Sequence, residues 1–154
     1  MSIANLVQNY NKCNYFLTAD LSIPNNSASA IIFDTASVSN SRISYNFSTG
    51  VFTINAPGIY TFNTSITYAE NATGVRYAWF IKNANPSRLG SELSNADTSG
   101  LVVTIGTTYT DLFNIGDTFL VQGLQNTGNP LLVNGQTSLP FNYTQINITM
   151  STLT

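Results

Sequence analysis

The chain has 154 residues and no histidine. That removes the usual general base near neutral pH, the commonest side-chain metal ligand, and every Ser-His or Cys-His nucleophile pair. The acids are Asp20, Asp34, Glu70, Glu92, Asp97, Asp111 and Asp117. They stand singly, without the Asp-x-Asp-x-Asp spacing of a calcium loop, so a paired-carboxylate glycosidase would need the fold to bring two together. Cys13 is the only cysteine. No intrachain disulfide or cysteine-based metal cluster can form, and the side chain is expected to serve as a small apolar residue rather than as a reactive thiol or an interchain bridge. The basic residues Lys12, Arg42, Arg76, Lys82 and Arg88 are scattered. They are expected as solvated surface or subunit-interface pairs rather than a ligand clamp. The chain is therefore expected not to be an enzyme and to hold no metal and no cofactor.

Composition narrows the partners. Charged residues make up 8% of the chain, about a third of the usual ~25%. Asn, Ser, Thr and Gly must cover the surface instead. No basic patch could release counterions from a nucleic-acid backbone, and no polybasic segment could meet anionic lipid, so neither nucleic acid nor membrane is an expected partner. A net charge of −2 gives weak colloidal repulsion, which suits a protein that works assembled with neighbours. The first ten residues have no basic n-region and no continuous apolar stretch, and no run approaches the ~18 apolar residues of a spanning helix. Neither a signal peptide nor a transmembrane segment is expected. Asn-x-Ser/Thr triplets begin at Asn25, Asn46, Asn63, Asn71, Asn142 and Asn147, about as many as the Asn, Ser and Thr content supplies by chance, so no glycosylation is inferred.

What positions these residues is a set of strands. From Tyr45 to Phe62, Ser48-Thr49-Gly50 and Pro57-Gly58 punctuate runs of β-branched and aromatic residues, the pattern of a meander. Residues 1–28 are Asn-rich and lack a sustained period. They are expected as an N-terminal arm whose Leu6, Val7, Tyr10, Tyr15, Phe16 and Leu17 dock on the chain's own domain or on a neighbour. The domain proper is expected over 29–154. It begins with a strand from Ser29 to Phe33, and Ile59–Tyr68 follows with Tyr60, Phe62, Thr64, Ile66 and Tyr68 on one inward face. Further strands are expected at Val75–Lys82, Leu101–Ile105, Thr107–Phe113, Thr118–Gln122, Leu131–Val133 and Phe141–Met150, with Ser91–Gly100 as a polar connection. Eight to ten strands and no helical period predict an all-β sandwich.

Spaced residues then give this sandwich a likeness. Phe33, Asn40, Tyr45, Phe52, Gly58, Tyr60 and Phe62 resemble the aromatic signature of the globular head of the C1q/TNF-like superfamily, with spacings that match from Asn40 onward. One extra residue lies between Phe33 and Asn40, and Thr64 takes the place of the last aromatic. Leu112–Val121, with Gly116-Asp117 at its centre, is similar to the family's Gly-Asp element. The resemblance covers about residues 29–154. It implies an all-β, C1q/TNF-like jelly-roll sandwich of two antiparallel sheets, ten-stranded and homotrimeric about an apolar axis. Some members bind calcium near the trimer apex, but no residue here matches a ligand motif. The aromatic positions are expected to be core, so function is not read from them.

Two functions follow. One is a trimeric virion structural protein on the capsid surface, a decoration, cement or fibre-head protein with other capsid or virion proteins as partners. Low charge, the apolar arm and the absence of a collagen repeat support it. The other is a carbohydrate- or receptor-binding head, lectin-like or cytokine-like, in which Tyr68, Tyr77 or Tyr109 beside Asn-rich loops would stack on sugars. The two overlap, since a capsid knob can serve host attachment.

Overall fold

The computed structural model describes residues 11–96, 99, 101–138 and 143–151. Among these there is no helix, and thirteen strands follow in chain order: β1 (Lys12–Phe16), β2 (Leu21–Ile23), β3 (Ser29–Ala30), β4 (Thr35–Val38), β5 (Ile43–Asn46), β6 (Val51–Ile54), β7 (Gly58–Tyr68), β8 (Val75–Lys82), β9 (Leu89–Asn95), β10 (Val103–Phe113), β11 (Thr118–Gln125), β12 (Leu131–Val133) and β13 (Gln145–Ser151). They form two antiparallel sheets. Sheet I runs β2-β12-β7-β13-β1-β4, with β10 on the other side of β7; sheet II runs β5-β6-β11-β8-β9, with β3 on β11.

Period-two alternation explains the layering. Along β7, Tyr60, Phe62, Thr64, Ile66 and Tyr68 are buried between the sheets, and along β13 so are Ile146, Ile148 and Met150. Phe62 stacks on Phe119 of β11 at 3.6 Å between ring centroids, and Phe119 also meets Phe80 at 4.9 Å and Phe52 at 6.4 Å. Tyr60 and Phe113 continue the chain of rings at 5.8 Å. Aromatic side chains thus join the sheets across the core, each ring pair adding about 0.5–1.5 kcal/mol beyond burial.

The segment read as an arm is, from Lys12 onward, part of this sandwich. β1 lies between β13 and β4, pairing Lys12–Phe16 with Thr149–Gln145. Cys13, Tyr15, Leu17 and Ile23 are core residues. Of the two docking options, residues 12–23 take the chain's own sheets, because apolar side chains at alternate positions of a strand need only one covered face. Leu6, Val7 and Tyr10 lie outside the described residues. Carboxylates fasten the segment: Asp34 accepts the backbone N–H groups of Thr18 and Ala19, and Asp20 accepts from Gly135 N at 2.8 Å.

Other strand readings need correction. Ser91–Asn95 is not a loop but belongs to β9, an outer strand of sheet II whose exposed polar residues gave no apolar alternation to read. The run expected from Ser29 to Phe33 is a strand only at Ser29–Ala30. The two runs around Gly106 form one strand, β10, paired with β7 along its whole length. β13 starts at Gln145, and the Phe141–Asn142 part of that reading lies outside the described residues. Thirteen strands replace eight to ten because several are only two to four residues long.

Candidate assembly and binding surfaces

The resemblance residues are structural in their placement. Phe33, Phe52, Tyr60 and Phe62 are wholly buried. Tyr45 lies 4.4 Å from Phe52 and 4.8 Å from Tyr15 between ring centroids, and its hydroxyl accepts the Phe33 N–H at 2.7 Å. Asn40 donates from Nδ2 to Lys12 O and accepts the Arg42 N–H at Oδ1, pinning β1 to the turn before β5. The Tyr60 hydroxyl donates to Ala56 O at 2.7 Å, and Gly58 is packed against Met150. Gly116 adopts φ 88° in the turn between β10 and β11. Asp117 holds that turn by accepting Asn114 N and Asn83 Nδ2, both at 2.8 Å. These groups fix strands and turns; they do not converge on a site.

Two basic residues expected at the surface take other roles in the fold, as does one tyrosine. Arg76 is not on the surface: it is 0% exposed, and its guanidinium donates to the carbonyls of Asn71, Thr73 and Gly74 at 2.7–3.2 Å. Its Nε has no hydrogen-bond partner among the described residues. Burial pushes its pKa down. Lys82 gathers two carboxylates that are apart in sequence, Asp111 at 2.9 Å and Asp117 at 4.0 Å. The Lys82 hydrogen bond and the Tyr109 hydroxyl hold Asp111 below the usual carboxylate range, and the Asn114 N–H does the same for Asp117. Both carboxylates are thus committed as ionised acceptors at the strand ends, the opposite of a poised general acid. Tyr68, read as a possible sugar platform, is instead buried, with its hydroxyl donating to Tyr77 O at 2.8 Å. Tyr109 is half-buried against the core. Cys13 is buried, and burial pushes its thiol up.

The outward face of sheet I carries rows of small uncharged polar residues. Register aligns Thr110, Thr61, Thr149 and Lys12 across β10, β7, β13 and β1. The next row is Thr108, Asn63, Asn147 and Asn14, and the next Gly106, Ser65, Gln145 and Phe16. Side chains tie the rows together: Thr61 and Thr110 hydroxyls lie 2.9 Å apart, and Asn14 Nδ2 donates to Asn147 Oδ1 at 2.9 Å. At one end the rows give way to Ile59 and Leu112, paired across the strands, with Ile115 beyond them at 69% exposed. At the other end Leu132 is exposed beside Ala69. Among the residues of these three rows only Lys12 is charged. Such a face loses its water at little electrostatic cost.

Sheet II presents a different outward face. Trp79 of β8 stands opposite Gln122 of β11, and its Nε1 donates to Gln122 Oε1 at 3.0 Å. The Arg88 guanidinium lies over the indole, 4.3 Å from the ring centroid. A β-bulge brings it there: Ala78 pairs with Glu92 and Phe80 with Leu89, so Gly90 and Ser91 together oppose Trp79 alone. Gly90 has φ 55°, and a Cβ there would sit 2.8 Å from Thr108 O, so the bulge needs glycine both for backbone angle and for space. Ala28, Ile81, Ala84, Asn85, Pro86, Leu120 and Gln122 line the rest of this open groove, whose volume is about 420 Å³. Sequence reading missed it because its parts come from two strands and two loops. The available signal was Trp79, the only tryptophan, whose outward placement only the fold decides.

Comparison with known proteins places this geometry. The model of the C1q domain family matches residues 16–104, more than half of the chain. No curated protein matches it. Among solved structures, murine APRIL superposes with a TM-score of 0.66 at 9% identity, covering 92% of this chain and 98% of that one. The globular domain of zebrafish complement 1qA gives 0.62 at 14% identity, covering 91% and 96%. Eiger TNF from S. frugiperda gives 0.59 at 10% identity, covering 94% of each. At these identities the structures share the fold: a jelly-roll sandwich of two antiparallel sheets.

Proposed function

The chain belongs to the C1q domain family, and from that premise we propose that it is a non-enzymatic, homotrimeric globular head that recognises a receptor or glycan. The single observation that carries the assembly half is the outer face of sheet I, whose Thr and Asn rows lie between the apolar ends at Ile59–Leu112 and Leu132. A contact between copies needs surface that sheds water cheaply and packs flat, and this face meets both needs. Three copies meeting there leave the outward face of sheet II, with its Trp79 groove, free for a partner. Recognition rather than chemistry fits a surface without histidine whose nearest paired carboxylates are both tied to Lys82.

Light scattering on the full chain at micromolar concentration tests this reading. The expected mass is three times 16.7 kDa; a monomer sinks it. A capsid-surface role as decoration, cement or fibre head is the second reading. Its support is the low charge and the apolar Leu6, Val7 and Tyr10 of the N-terminal segment. Mass spectrometry of purified virions, run beside a glycan array, separates the two: absence from particles together with specific sugar binding favours the recognition head.

A further inference from the structure

We propose that the groove on the outward face of sheet II binds a carboxylate-bearing pyranose, with Arg88 forking the carboxylate. This rests on the recognition reading and gives it a site and a ligand class.

The argument begins with what the groove leaves unpaired. Trp79 is only 2% exposed, so the indole is closed to ligand and acts as a floor. The Arg88 guanidinium lies over it, 4.3 Å from the ring centroid, a contact that restrains the side chain. An arginine fixed in this way is pre-organised for a planar, two-oxygen acceptor, because less rotamer freedom is lost on binding. The neighbouring amides are also set as donors. Gln122 Oε1 is occupied by Trp79 Nε1, and Asn85 Oδ1 accepts the Ser87 N–H at 3.0 Å. Among the described residues none accepts a hydrogen bond from the Arg88 guanidinium, Gln122 Nε2 or Asn85 Nδ2. The groove is therefore rich in donors, and its complement is rich in acceptors.

Size and charge select among acceptors. About 420 Å³ falls within the range of small-molecule sites, roughly 300–1,000 Å³, and exceeds what one carboxylate fills. Ile81, Leu120 and Pro86 supply apolar wall, which matches the C–H face of a sugar ring, while its hydroxyl and ring oxygens face the amides. A phosphate dianion would call for more than one cation, and Arg88 is the only charged residue among the lining groups. An acidic peptide also offers a carboxylate to the arginine and backbone carbonyls to the amides, so it is the comparison ligand that the test must separate from the sugar.

Trp79 is the only tryptophan in the chain, so its fluorescence reports on this groove directly. The test titrates the full-length protein with N-acetylneuraminic acid and glucuronic acid, against galactose, sodium acetate and an acidic hexapeptide. Ligand-detected NMR runs in parallel, so that the result does not depend on the fluorophore. Saturable binding of an acidic sugar is expected, at least about tenfold tighter than galactose or acetate and weakened about tenfold or more by Arg88→Gln. Arg88 is exposed and outside the core, so the variant should fold; circular dichroism checks it. No saturable binding of either acidic sugar overturns the proposal, as does unchanged affinity in Arg88→Gln. Equal affinity for acetate or the acidic peptide overturns the sugar assignment. The groove lies within one protomer, so its failure in a confirmed trimer that binds other glycans leaves the head reading standing, whereas a monomer sinks that reading while the titration is still decided.

Discussion

Arg76 is the residue at which simple expectation departs furthest from the fold. A lone basic residue in a strand reads as surface, yet this one is buried without a carboxylate partner among the described residues, held by three turn carbonyls. Alternation alone points to the wrong face of β8, because Val75, Tyr77, Trp79 and Ile81 are more apolar than Arg76, Ala78, Phe80 and Lys82. The structure turns Arg76, Ala78 and Phe80 inward because Phe80 meets the Phe62–Phe119 stack. Arg76→Ala strips the carbonyls of Asn71, Thr73 and Gly74 of their donors and should lower unfolding stability by about 2–4 kcal/mol, read from urea denaturation. The carboxylates give a second prediction at this scale. Burial pushes Asp34 up, but the N–H groups of Ala19 and Thr18 and the hydroxyls of Thr18 and Thr35 outweigh it, so its pKa lies below the ordinary 3.8. Asp111 and Asp117 are lowered in the same direction. In each case the folded state binds the proton less readily than the unfolded chain. The stability they give is complete above the unfolded value and is lost as pH falls through the folded value. The urea midpoint should therefore drop as pH falls from about 5 through the folded values, which lie below 3.8, and Asp34→Asn should make that drop smaller.

At the scale of elements, the strands that alternate apolar and polar residues were legible, and those at the sheet margins were not. β7, β11 and β13 each have an inward face that period two exposes in the sequence. β9 has no such face: its residues are mostly exposed, and only its pairing with β8 makes it a strand. The loop from β8 to β9 is the other illegible piece. Asn83 and Ala84 take φ of 52° and 53° in succession, turning the chain back over Trp79 so that Asn85 and Pro86 line the groove. Asparagine tolerates this region, but alanine carries a steric penalty there. Ala84→Gly should raise stability by about 0.5–1 kcal/mol, the relief of that penalty less the added freedom of the unfolded chain. Thermal unfolding measures it, and a lower midpoint contradicts the strain assigned to Ala84.

For the whole molecule, the two sheets divide the labour proposed here: one outward face for assembly, the other for recognition. Asn63 sits centrally on the assembly face, between Thr108 and Asn147. Asn63→Lys should leave the sandwich folded, since position 63 points away from the core, while bringing like charges together in a contact that excludes water. Light scattering should show a shift from trimer toward monomer with an unchanged circular dichroism spectrum. A fully trimeric Asn63→Lys protein would place the contact elsewhere. The sandwich is continuous with residues that sequence reading set apart, since Cys13, Tyr15, Leu17 and Ile23 share one core with Phe62 and Phe119.

Side-chain period, turn residues and composition were enough to establish the all-β class, the inward face of β7, the absence of histidine chemistry and the family likeness at Phe33, Asn40, Tyr45, Phe52, Gly58, Tyr60 and Phe62. These are local properties, and they can be read one stretch at a time. Four others came only with the folded chain: Arg76 is buried, Lys82 joins Asp111 to Asp117, β1 is an inner strand, and Arg88 lies on Trp79 beside Gln122. The physical reason is common to all four. Each depends on pairing register and on a bulge or turn that brings distant segments within hydrogen-bond or stacking distance, and no local pattern encodes that distance.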